Sequence, residues 1–122
     1  MTKKQEALLV RLEAWFLESG GGSEQDAANS LQMPVQAVEA VAKLGIHENR
    51  LVRVGDRLVT MTMLRATVTE LHGRFGDRPL HPREVREALG FSRQRNDELA
   101  DALERQGLLA RSDEGWRLKQ SS

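Results

Sequence analysis

The run Ser92-Arg93-Gln94-Arg95-Asn96 gathers side chains suited to a polyanion. Arg93 and Arg95 carry planar forks of donors that match phosphate oxygens. Gln94 and Asn96 carry amides that can hydrogen-bond base edges. Ser92 is a good N-cap, so the run opens a predicted helix whose free backbone N–H groups add to the attraction for anions. Arg83 and Arg86 sit one short helix upstream and extend the patch. Beyond Asn96 the sign reverses. Asp97, Glu98, Asp101 and Glu104 follow, so only the first turn of this helix suits nucleic acid. A solvated helix face of mixed charge has the same composition.

Catalysis has no comparable set. His47, His72 and His81 sit at no metal-ligand spacing and read as surface or helix-end histidines. Cysteine is absent, which removes disulfides, a thiolate nucleophile and cysteine-ligated zinc. Gly20-Gly21-Gly22 follows no strand and lacks the Lys-Ser/Thr of a phosphate loop, so it reads as a flexible connector. Asp97 and Glu98 are neighbours in sequence and do not face each other on a helix. The expectation is a binding protein, not an enzyme, without catalytic residues, metal or organic cofactor.

Composition agrees. The 122 residues balance 18 Lys and Arg against 18 Asp and Glu, which excludes a wholly basic chromatin-like protein but not a local basic face. No apolar run approaches bilayer-spanning length, and Met1-Thr2-Lys3-Lys4 leads into a charged helix, not a signal peptide. A cytoplasmic location and no membrane partner are expected. Fourteen of the cations are Arg, which suits phosphate and equally suits a GC-rich genome.

The elements that would position these residues recur. One unit spans residues 1–61 and a second spans 62–122, with little or no linker between them; the repeat itself, from about Lys4 to Met61 and from Thr62 to Lys119, is near 58 residues long. In the first, Leu8, Leu9, Leu12, Trp15 and Phe16 follow helical spacing. Ser23 and Asp26 make a capping box for a short helix through Leu31. Met33-Pro34 turns into a third helix with Val35, Val38, Val41 and Ala42 on its apolar side. Leu51 to Thr60 then reads as two strands about Gly55-Asp56. The second unit repeats this order: a helix with Met63, Leu64, Val68, Leu71 and Phe75, a short helix Arg83 to Leu89, a helix after Ser92 ended at Gly107, and a hairpin about Ser112 to Gly115. Leu31 falls on Leu89 and Met33 on Phe91. The fold expected is mainly α with small β-hairpin wings, two tandem winged helix-turn-helix units.

The units differ in charge. The third helix of the first opens Pro34-Val35-Gln36-Ala37 and has no cation until Lys43; only its wing is basic, with Arg50, Arg53 and Arg57. The second unit is expected to contact a partner and the first to position it. Phe75 and Phe91 read as core, and Trp116 either packs on the wing or stacks on an unpaired base.

Three stretches resemble the C-terminal region of bacterial selenocysteine-specific elongation factors (SelB). They are Leu51 to Val59, His81 to Arg93 with its Leu89-Gly90-Phe91-Ser92-Arg93 ending, and Leu103-Glu104-Arg105-Gln106-Gly107. The resemblance implies tandem winged helices, the last of which bind an mRNA hairpin, with a GTPase region upstream in the full-length factor. It implies Arg93 as a backbone contact and Arg111 as a weaker one. Gln94 stands where the family carries Lys, and of the family's basic last wing only Arg111 remains, followed by Asp113-Glu114. The partner expected is therefore an RNA hairpin, bound by a monomer. A small regulator of duplex DNA and a protein-interaction module without nucleic acid stay open as alternatives.

Overall fold

The computed structural model describes residues 1–119. The chain divides into two compact units, Met1–Met63 and Leu64 onward. Unit 1 contains α1 (Lys3–Ser19), α2 (Glu24–Leu31), α3 (Val35–His47) and the hairpin β1 (Leu51–Val54) with β2 (Arg57–Thr60). The strand after Gly55-Asp56 runs into α4 (Met61–Phe75) with no residue between. Unit 2 continues with α5 (Pro82–Leu89), α6 (Arg93–Arg105), and the hairpin β3 (Leu109–Ser112) with β4 (Gly115–Leu118). The winged-helix order and the mainly α composition are as expected.

In unit 1 the helices begin where side chains can satisfy free N–H groups. Thr2 and Gln5 form a capping box for α1, and Ser23 and Asp26 form the one expected for α2. The inner faces bury Leu9, Leu12, Phe16, Ala27, Val38, Ala42, Leu51 and Leu58 in one core. Each large apolar side chain so buried contributes about 2 kcal/mol. Gly45 lets α3 approach closely, since a Cβ there would lie 2.8 Å from Leu9 Cδ1 and 2.9 Å from Leu51 Cδ1.

The glycine run is not the flexible connector its sequence resembles. Gly22 exchanges two backbone hydrogen bonds with Leu58, at 3.0 and 2.7 Å, and so adds a third short strand position to the wing. Gly21 has φ +100°, and a Cβ there would sit 2.9 Å from the Leu58 carbonyl oxygen. The composition reads as slack because the partner strand lies far along the chain.

Unit 2 reproduces this frame at an offset of 58 positions. Leu80 exchanges backbone hydrogen bonds with Trp116 at 2.8 and 2.7 Å, as Gly22 does with Leu58. His81 stands for Ser23 as N-cap, and Glu84 for Asp26 as its capping-box partner. Gly90 stands for Gln32, both left-handed. Thr60 accepts from the Met63 N–H as Thr2 does from Gln5. The interval from Leu31 to Leu51 equals that from Leu89 to Leu109, twenty residues each; the leucine that opens the second wing is Leu109. Its core holds Val68, Leu71, Leu80, Val85, Leu99, Leu103 and Trp116. Trp116 is 3% exposed, so it packs and offers no stacking face.

Gly115 has φ +123°, and a Cβ there would lie 2.5 Å from the Leu80 carbonyl oxygen. Gly115→Ala should therefore destabilise unit 2 by about 2 kcal/mol or more. The measurement is urea unfolding followed by Trp116 fluorescence in a Trp15→Phe background. An unchanged midpoint would mean that Leu80 does not press on the wing.

Candidate nucleic-acid interface

The second helix of unit 2 starts on an unusual cap. The His81 ring accepts the Arg83 N–H at its Nδ1 (3.0 Å), and Glu84 accepts the His81 N–H (3.0 Å). Pro82 occupies the first turn, where no N–H is needed. The helix ends at left-handed Gly90, and the Phe91 N–H returns to the Arg86 carbonyl at 3.1 Å. Ser92 then caps α6 as expected, its Oγ accepting the Arg95 N–H at 3.1 Å. A tight turn thus holds the end of one helix against the start of the next.

That turn brings most of the expected contact residues together. Arg93, Gln94 and Arg95 are exposed in the first turn of α6. The Arg95 guanidinium lies 4.4 Å above the Phe91 ring, a cation–π contact that keeps the cation at the surface. Arg83, Arg86, Glu87, Gly90 and Phe91 line an open cleft of about 330 Å³. Phe91, half-buried, is therefore the platform around which Arg83, Arg86 and Arg95 meet. Sequence reading assigned it to the core. The signal that would have found it is the spacing of Phe91 and Arg95 across a helix start.

Asn96 departs from expectation. It is 1% exposed, so its amide is not available to a base edge in this fold. Its Nδ2 donates to the Pro82 carbonyl at 3.3 Å, tying α6 to the first turn of α5. Its Oδ1 is buried without a partner. The equivalent residue of unit 1 is Val38, also fully buried. Asn96 is thus a core position carrying a polar side chain.

Ion pairs sort the arginines of unit 2. Arg74 pairs with Glu70, Arg78 with Glu84, and Arg117 with Glu114. Arg111 pairs with Asp101 at 2.9 Å and with Glu104, whose hydrogen bond raises its pKa above the ordinary arginine value. Arg111 ties β3 to α6 through two carboxylates that the sequence showed only as repulsive. Arg83, Arg86, Arg93 and Arg95 form no ion pair among the described residues. The arginines left unneutralised include Arg83 and Arg86 on α5 and Arg93 and Arg95 in the first turn of α6.

Unit 1 lacks such a set. Its wing cations point inward to partners of their own unit. Arg50 bridges Glu6 (2.7 Å) and Glu13, which together raise its pKa, Glu13 most. Arg53 pairs with Glu24 at 2.8 Å and holds that carboxyl below its usual range. Arg57 donates to the Gly20 carbonyl at 2.8 Å. The basic wing legible in sequence is a set of struts. Among the described residues no group of His, Asp and Glu is placed to hold a metal ion, and no helix is long and apolar enough to cross a membrane.

No family model and no curated protein sequence matches this chain. Solved structures do. The fold is similar to that of the mRNA-binding domain of elongation factor SelB from E. coli, solved in complex with SECIS RNA. The TM-score is 0.72 at 17% identity, over 98% of this chain and 100% of that one. It is also similar to part of the bacterial selenocysteine-specific elongation factor EF-Sec, with a TM-score of 0.68 at 18% identity. That match takes in 98% of this chain and 19% of the other.

Two outcomes follow from the geometry. Replacing Asn96 by the valine of unit 1 removes a buried orphan acceptor for one long hydrogen bond, so Asn96→Val should raise the stability of unit 2 by about 1 kcal/mol. Thermal unfolding measures it, and a drop in stability would show that the Pro82 contact outweighs the orphan. For Glu84, the Arg78 hydrogen bond first and the His81 N–H second hold the carboxyl at about 2, below its ordinary 4.5. The unfolded chain then binds the proton more readily. The stability this carboxylate contributes is complete above pH 4.5 and lost as pH falls towards 2. In urea unfolding across that range, wild type should converge on Glu84→Gln; a constant gap would refute the assignment.

Proposed function

We propose that this chain is an mRNA-hairpin-binding module of a selenocysteine-specific translation elongation factor, with unit 2 as the contacting unit. The observation that carries the reading is that Arg83 and Arg86, which line the cleft beside Phe91, Arg95, which lies over its ring, and Arg93, next to it on α6, form no ion pair among the described residues. The likeness of the whole chain to a domain described with SECIS RNA supports RNA as the partner. In the full-length protein a GTPase region would lie upstream, and the factor would act in the cytoplasm. The module works by binding alone, as a monomer, with no catalytic residue, metal or organic cofactor of its own.

The division of labour has a physical basis. The cleft arginines and the first turn of α6 meet phosphate oxygens, Arg83 and Arg86 from one side and Arg93 and Arg95 from the other. The free N–H groups at the α6 start reinforce them. Exposed Gln94, between Arg93 and Arg95, carries the amide that can read a base edge. In unit 1 the wing arginines are occupied by Glu6, Glu13, Glu24 and the Gly20 carbonyl, so that wing offers no equivalent field.

A salt titration of binding to a labelled SECIS RNA hairpin and to duplex DNA tests this. Removing one arginine–phosphate interaction should lower the slope of log affinity against log salt by about one. Arg93→Ala/Arg95→Ala should lower the slope by about two, and Arg111→Ala should leave it unchanged while lowering stability. An unaltered slope in the double variant removes this face from the account. Equal affinity for hairpin and duplex withdraws the elongation-factor reading.

A further inference from the structure

Unit 1 keeps an apolar groove open between α1 and α3, at a place that unit 2 covers with charge. The groove measures about 430 Å³, and its floor is Ala7, Leu8, Met33, Ala37, Ala40 and Val41. Three of these are alanines, so no long side chain fills the space between the helices. In unit 2 the equivalents of Met33, Ala37 and Ala40 are Phe91, Arg95 and Glu98, and there the Arg95 guanidinium covers the Phe91 ring at 4.4 Å. One frame thus carries a charged surface in one copy and a bare apolar hollow in the other. An apolar hollow left in water is unfavourable unless something covers it.

Charge says what covers it. Lys4 and Arg11 flank the floor from α1, and neither has an ion pair among the described residues. They are seven residues apart on one helix, which places them about 10 Å apart on the same side. No acidic residue lines the groove. No residue of α1 three or four positions from Lys4 or Arg11 is acidic, and Glu6 and Glu13 are both held by Arg50. The groove therefore joins an apolar floor to two unsatisfied cations two helical turns apart. Met33 adds an adaptable side chain to the floor.

We propose that this groove docks an acidic amphipathic helix of a partner protein, its apolar side on the alanine floor and carboxylates two turns apart on Lys4 and Arg11. The site is independent of the arginine cluster of unit 2 and does not rest on RNA binding.

The test is an NMR titration of the full chain with a synthetic helical peptide of about 18 residues, long enough to form a helix once bound. The peptide carries Leu at i, i+3, i+4 and i+7 and Glu beside them; the control carries Lys in place of Glu. Saturable shifts confined to the Ala7, Met33, Ala37 and Ala40 methyls are expected, with the acidic peptide bound at least about tenfold tighter. Lys4→Glu/Arg11→Glu should reverse that preference. Ala37→Arg/Ala40→Glu, which installs the residues of unit 2 at surface positions, should abolish binding with the thermal midpoint retained. No saturable shift at these methyls, or equal binding of the two peptides, overturns the proposal. So do the same shifts produced by concentrating the chain alone, which would make a second copy the occupant, or by adding the RNA hairpin, which would make it nucleic acid.

Discussion

Each unit hangs on a pair of backbone hydrogen bonds between the residue before its second helix and the second strand of its wing. Gly22 meets Leu58, and Leu80 meets Trp116. The residue after each bridge, Ser23 or His81, is the N-cap of the second helix. The wing therefore sets where that helix begins. A left-handed residue, Gln32 or Gly90, sets where it ends. The third helix follows after a fixed turn, and its start is where unit 2 displays its arginines. Remove the bridge and the display loses its anchor, although no arginine takes part in it.

On that common frame the two units have diverged by substitution of what faces out and by what pairs with what. Arginine is plentiful in both wings and does different work. In unit 1 it braces the fold against Glu6, Glu13 and Glu24. Unit 2 assigns Arg111 to the same bracing role, using Asp101 and Glu104, and leaves the turn arginines unpaired. Half of the acidic stretch of α6 is thus taken up by the wing, while Asp97 and Glu98 stand next to the helix start. Its carboxylates at 101 and 104 are engaged with the wing, and the field at the helix start is not cancelled by them. Counting charges along the chain gives zero in total and misses this separation.

What sequence could show was whatever depends on near neighbours. Ser23 with Asp26, Ser92 as a cap and Gly55-Asp56 as a turn are local devices, and each stands where its residues indicate. The repeat of leucines and turns was enough to order the elements and reach the fold. Contacts made across long loops were not legible. Gly20-Gly21-Gly22 has the composition of a tether, and only the strand 36 residues further on turns Gly22 into a paired position. Asn96 has the chemistry of a base reader, and only the packing of α5 over α6 buries it. The two ion pairs of Arg111 were not legible because its carboxylate partners sit on another element.

The fixed offset between the units has a consequence for how such a chain can change. Bridge, cap, left-handed stop and wing strand all recur at one interval, so the molecule is constrained in length more tightly than in letters. A substitution such as Val38 to Asn96 alters one environment and leaves every landmark in step. A residue inserted within β2 ahead of Leu58 would shift the strand past its bridging partner and turn its apolar face outward. Substitution within a repeat of this kind erodes likeness of wording while preserving metre, so a chain 17% identical to a solved domain can still share its fold over 98% of its length.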